Sequence, residues 1–119
     1  MREFKMESKD KAIDYIVSRI LTLDPYRIVL FGSRVSGMED SESDIDLLVV
    51  LDSGSIAPTY EERMKRRLMV RDRIREINKR LPIDLIVYTK AEYEFLQKYG
   101  VSFLNEIEKS GKTVYEKTG

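Results

Sequence analysis

Two acids stand in a run that is otherwise composed for burial. In residues 30–51, LFGSRVSGMEDSESDIDLLVVL, an apolar stretch ends at Gly32-Ser33, ten residues of small and acidic character follow, and Asp44 and Asp46 open a second apolar stretch. Side chains alternate along an extended chain, so Asp44 and Asp46 share one face while Ile45 and Leu47 point to the other. Two carboxylates therefore converge. Packed side by side they repel, and each is costly to bury unless a cation sits between them.

The flanking segments read as ordered elements. Residues 26–31 (YRIVLF) form a short apolar, β-branched run that predicts a central strand, and residues 44–51 predict a second buried one. Residues 83–88 (IDLIVY) predict a third strand bearing one acid, Asp84; if it pairs beside the second, a third carboxylate joins the same edge. Residues 8–23 place Ile13, Ile16, Val17 and Ile20 at helical spacing, with Ser8 available as a cap and Pro25 as the stop. After a loop at 53–59, residues 60–81 predict one long helix with apolar marks at Met64, Leu68, Val70, Ile74, Ile77 and Leu81. Nine Arg or Lys lie between Arg63 and Arg80, so one side of it is strongly basic. Such a face can contact nucleic-acid phosphates or an acidic partner, although pairing among Arg71, Asp72, Arg75 and Glu76 in water is the simpler reading. Pro82 stops that helix. Two short helices broken at Gly100 come next, with Phe103, Leu104 and Ile107 facing the core, and then a last strand near 113–115. Tyr88, Tyr93, Tyr99 and Tyr115 read as core or half-buried residues.

Composition narrows the chemistry. The chain has 119 residues, which fits one domain (1–119) able to bury roughly 60–70% of its unfolded surface. Cys and His are both absent, which excludes thiol chemistry, zinc–thiolate or imidazole sites and histidine acid–base catalysis. Carboxylates, hydroxyls and amines remain, and the metal they suit is a hard cation with oxygen ligands. Basic and acidic residues number 21 each, so no overall field argues for nucleic acid or membrane. The N-terminal MREFKMESKDK has no apolar core of a signal peptide, and no run approaches a membrane span, so a cytoplasmic location is expected. Charged residues make up 35%, above the usual share of about 25%, a weak thermophile signature.

Gly32-Ser33 complements the acids. A glycine at a strand end lets the backbone approach a ligand, and the Ser33 hydroxyl with the N–H groups of a following helical turn makes an anion site. Together the two halves describe a cradle for a nucleoside triphosphate and its metals.

Gly32-Ser33, ten intervening residues, Asp44-Ile45-Asp46 and a later strand aspartate at Asp84 resemble the DNA polymerase beta-type nucleotidyltransferase superfamily. Gly-Ser-Arg-x-x-Gly at 32–37 and Phe-Leu-x-Glu-Ile-x-x-x-Gly-Lys at 103–112 look, more narrowly, like the minimal nucleotidyltransferases. The resemblance implies an α+β fold with a mixed sheet of about four to five strands flanked by helices. It implies that Gly32, Ser33 and Arg34 bind the nucleotide, that Asp44 and Asp46 hold two magnesium ions, and that Asp84 completes the catalytic metal site and helps deprotonate the acceptor hydroxyl. Minimal nucleotidyltransferases resemble antitoxins paired with a HEPN-domain ribonuclease toxin, which implies transfer of AMP from ATP to a toxin tyrosine. Larger members carry further domains for base and acceptor; here that surface is expected from a partner or a second copy of the chain. Two other readings stand beside this one. One is a nucleotide-binding antitoxin that acts by occlusion without catalysis, and the other is transfer to a small hydroxylated molecule.

Overall fold

The structure, a computed structural model, describes residues 9–32, 45–56 and 59–118. Helix α1 (Lys9–Ile20) buries Ala12, Ile16 and Ile20 and packs Ile13 and Val17 at the margin of the core, as its periodicity predicts. Ser8, its expected cap, lies outside the described residues. A 3-10 turn, Leu21–Leu23, follows, and Asp24 closes it at φ 53° with its N–H donating to the Leu21 carbonyl. Pro25 then opens the first strand, a position where its missing N–H is tolerated.

Four strands form one mixed sheet in the order β3-β2-β1-β4: β1 is Pro25–Phe31, β2 Ile45–Leu51, β3 Ile83–Thr89 and β4 Lys112–Glu116. Strand β1 is central, antiparallel to both β2 and β4, whereas β2 and β3 run parallel. Parallel neighbours need a crossover. Helices α2 (Tyr60–Arg73) and α3 (Arg75–Asn78) supply it, and the Asn78 side chain then accepts the Ile83 N–H at 3.0 Å, fixing the start of β3.

Both faces of the sheet are covered at its centre, which is why β1 and β2 are mostly apolar rather than alternating, whereas the edge strand β4 is largely exposed. On one face Ile28, Leu30, Ile45, Leu47 and Val49 pack against α1, α2 and α3. On the other, Val29, Leu48 and Val50 meet Tyr93 of α4 (Lys90–Lys98) and Leu104 and Ile107 of α5 (Ser102–Ser110). Gly100 separates these two helices at φ +63°, in the left-handed region where glycine carries no steric penalty.

The segment 60–81 departs from expectation. It is two helices, interrupted at Ile74 (φ −113°), although neither proline nor glycine marks the break. Its buried stripe is Val70, Ile74 and Ile77, while Leu68, expected inside, is 54% exposed. Leu68 lies about 200° around the helix from Val70. Positions one turn before Val70 fall instead on Arg66 and Arg67, both half-buried, the long stems of arginines covering apolar surface. Arg75 pairs with Asp72 and Lys79 with Glu76, consistent with a solvated outer face. Two aromatic expectations also fail. Phe103 is 50% exposed and Tyr99 is exposed, its ring 4.7 Å from that of Phe95; the two flank the connection between α4 and α5, Tyr99 as the C-cap of α4 and Phe103 in the first turn of α5. Tyr93 is buried, and Tyr88 and Tyr115 are half-buried, as expected.

A polar cluster joins four elements on the α4–α5 side. The Arg27 guanidinium donates to the Tyr93 hydroxyl (2.5 Å), the Glu108 carboxylate (3.0 Å) and the Thr113 hydroxyl (2.7 Å). Burial, together with the neighbouring Glu108 carboxylate, raises the Tyr93 phenol above its ordinary value of 10.0. The folded chain therefore keeps a proton that the unfolded chain releases, so stability is undiminished below pH 10.0 and falls as pH rises beyond it. Tyr93→Phe is expected to flatten that alkaline loss by at most about 1.4 kcal/mol per pH unit. Thermal melts of both proteins across the alkaline range check it.

Candidate active site

Strand β2 begins beside strand β3 in register, and the pairing puts Asp46 opposite Asp84. Residues paired in this way point to the same side of the sheet. That side is the one bearing Leu48 and Val50, covered by α4 and α5. The cover stops short of the strand starts: the row through Val29, Leu48 and Ile86 is packed, whereas in the next row Asp46 is half-buried and Asp84 exposed. Strand β1 ends at the same edge, with Phe31 opposite Asp46. Three strands thus deliver Phe31, Asp46 and Asp84 as one transverse row. Like charges on facing positions are unfavourable, so the row is a poor choice for stability alone.

Gly32 comes next after Phe31, at φ +88°. A Cβ here would overlap the Asp46 carboxylate oxygen and lie 3.2 Å from its carbon. Only glycine lets the turn after β1 pass so close to that carboxylate. Gly32→Ala is therefore expected to cost about 1–3 kcal/mol through the left-handed backbone and to displace Asp46. Thermal melting and a nucleotide-transfer assay on the same preparation measure the two consequences.

Of the residues expected from sequence, Gly32, Asp46 and Asp84 come together at this edge, while Ser33, Arg34 and Asp44 lie outside the described residues. Among the described residues no group of three or more acidic side chains gathers as a metal cage. Two neighbouring carboxylates with all-oxygen chemistry nevertheless fit magnesium, which takes one or two protein carboxylates and completes its shell with water and substrate phosphate. Sequence spacing does not single out Phe31 as part of this row. Its register with Asp46 depends on the antiparallel pairing of β1 with β2. The ring of Phe103, at the start of α5, stands edge-on to that of Phe31 with centroids 6.3 Å apart.

Among the described residues no helix is long and apolar enough to cross a membrane. No curated protein sequence matches the chain. Among solved structures, the fold is similar to that of a candidate nucleotidyltransferase from Sulfolobus solfataricus (TM-score 0.60, 22% identity, covering 98% of this chain and 93% of that one). It is also similar to a toxin–antitoxin complex solved with AMP-PNP (TM-score 0.55, 17% identity, 88% of this chain and 73% of that one). A mutant of the toxin–antitoxin pair MntA–HpeT is a further neighbour (TM-score 0.51, 18% identity, 93% of this chain and 74% of that one). The family model for polymerase beta nucleotidyltransferases matches residues 18–118, a span that takes in the whole sheet and both acidic strand starts. With a mixed α+β sheet, a glycine turn against an aspartate and a second aspartate in register beside it, the chain belongs to the polymerase beta nucleotidyltransferase family.

Proposed function

We propose that the chain is a magnesium-dependent nucleotidyltransferase that moves AMP from ATP to a tyrosine hydroxyl of a partner HEPN-type ribonuclease toxin, and so acts as its antitoxin. The observation that carries the enzymatic part is the in-register pair Asp46 and Asp84 beside the glycine turn, in a chain of this family. The toxin–antitoxin neighbours support the choice of partner, and the neighbour solved with AMP-PNP supports an adenine nucleotide.

In this reading Asp44, Asp46 and Asp84 hold two magnesium ions, and Gly32, Ser33 and Arg34 receive the triphosphate. Magnesium, when bound, lowers the pKa of the acceptor hydroxyl and offsets charge on the phosphates. The acceptor oxygen forms a bond to the α-phosphorus while the bond from that phosphorus to the bridging oxygen breaks, and pyrophosphate leaves. Asp84, the more exposed of the two described acids, takes the hydroxyl proton. Asp46 is held in place by its strand on both sides, Phe31 opposite in β1 and Asp84 opposite in β3. The absence of a side chain at Gly32 lets its backbone lie against the Asp46 carboxylate.

The test is to purify the chain with its bound partner from the native cell and supply ATP with magnesium. The partner's mass should then rise by one or more adenylate groups on tyrosine. A bound partner that stays unmodified but silenced would favour occlusion. Transfer to a small polyhydroxylated amine by the chain alone would favour the small-molecule reading.

A further inference from the structure

Single exposed aromatic residues are ordinary on protein surfaces. Phe103 differs from Phe95 and Tyr99 in where it stands. Its ring abuts Phe31, the register partner of Asp46 and the residue just before Gly32, yet half of its surface remains open. It therefore extends the row of Asp84, Asp46 and Phe31 with an apolar face, on the side of the sheet where both carboxylates point. A nucleoside triphosphate whose phosphates lie at Gly32 and Asp46 has one large apolar part left to shelter, its base.

We propose that Phe103, braced by Phe31, is the platform on which the nucleobase of the bound triphosphate stacks; this rests on the reading of the edge as a nucleotide site. Phe31 fixes the ring by an edge-to-face contact, with an interplanar angle of 87°, and leaves the outer part of Phe103 for the ligand. A phenyl ring offers no hydrogen-bonding group, so it selects by stacking area. Purines are favoured over pyrimidines, and adenine is not distinguished from guanine at this position.

The chain contains no tryptophan and seven tyrosines, so Phe103→Trp creates a single indole at the proposed platform that can be excited selectively beyond the tyrosine absorption. In the presence of magnesium, ATP and GTP should quench it more strongly than CTP or UTP, and inorganic tripolyphosphate should bind without quenching. Phe103→Ala should weaken ATP binding by about 5- to 140-fold, the range for loss of one base–aromatic stack, and leave tripolyphosphate affinity unchanged. Isothermal titration of the unaltered protein separates the two levels of failure. If it binds neither ATP nor tripolyphosphate, the nucleotide-site reading falls and the platform with it. If ATP binds equally well to Phe103→Ala, or tripolyphosphate quenches Phe103→Trp as ATP does, the site stands and the platform is wrong. A melting temperature lowered in Phe103→Ala with ATP affinity intact would likewise assign Phe103 to packing alone.

Discussion

Asp84→Asn should leave the chain folded and reduce nucleotide transfer by about 10²- to 10⁴-fold, the range expected when a positioned proton acceptor is lost. The substitution keeps the shape of the side chain and removes its charge and basicity. Asp84 is exposed, so no buried contact is sacrificed, and melting should be nearly unchanged. Asp46→Asn acts at the neighbouring register position and should be at least as damaging to transfer. Binding separates the two roles: loss of a metal-holding carboxylate should weaken magnesium-dependent nucleotide binding, whereas loss of a proton acceptor alone should slow turnover with binding largely retained. The assay follows pyrophosphate release and label transfer from ATP to the co-purified partner. Folded variants that transfer at the native rate would remove both carboxylates from the mechanism.

Glu92→Ala should destabilise the fold by about 3–5 kcal/mol, a large part of the stability of a domain of this size. The Glu92 carboxylate accepts from Arg66 at 2.7 Å and from the Thr89 N–H at 3.0 Å, and both charged side chains are only 11% exposed. Thr89 answers by accepting from the Glu92 N–H at 3.2 Å, which completes a capping box at the start of α4. Removing Glu92 strands a nearly buried guanidinium and frays a helix at once. Glu92→Gln should cost less, because an amide oxygen still serves the Thr89 N–H. Arg66→Met combined with Glu92→Ala should recover part of the loss, since no lone charge then remains. Chemical denaturation of the three proteins supplies the comparison, and a Glu92→Ala protein as stable as the unaltered chain would overturn the account.

That second case shows where the sequence falls silent. The Arg66–Glu92 pair joins residues 26 positions apart, and Arg27 reaches Tyr93 and Glu108 across 66 and 81 positions. No local pattern encodes such partners. Strand positions were legible because continuous β-branched runs have few alternatives, and α1 was legible from its spacing of Ile16 and Ile20. The expectation for the basic helix fails at Leu68 for a related reason. Apolar identity alone does not mark the inward face, because the stripe of Val70, Ile74 and Ile77 is continued one turn earlier by the half-buried Arg66 and Arg67, whose long stems are apolar. At the candidate site the motif spacing points to Asp46 and Asp84, but their juxtaposition depends on the parallel pairing of β2 with β3, which the spacing alone leaves open. Phe31 entered the row through register, a property of two strands and not of either one.

The order β3-β2-β1-β4 leaves Asp84 on a perimeter strand. Among the described residues no strand pairs with the outer side of β3, so in the proposed reaction an acceptor alongside that edge would part no ladder among them. On the proposed reading, a site at a perimeter suits an acceptor as bulky as a folded protein. It also gives such a domain a way to gain new acceptors, because whatever docks along that border, a partner or an appended domain, can be exchanged while the glycine turn and the paired acids stay as they are.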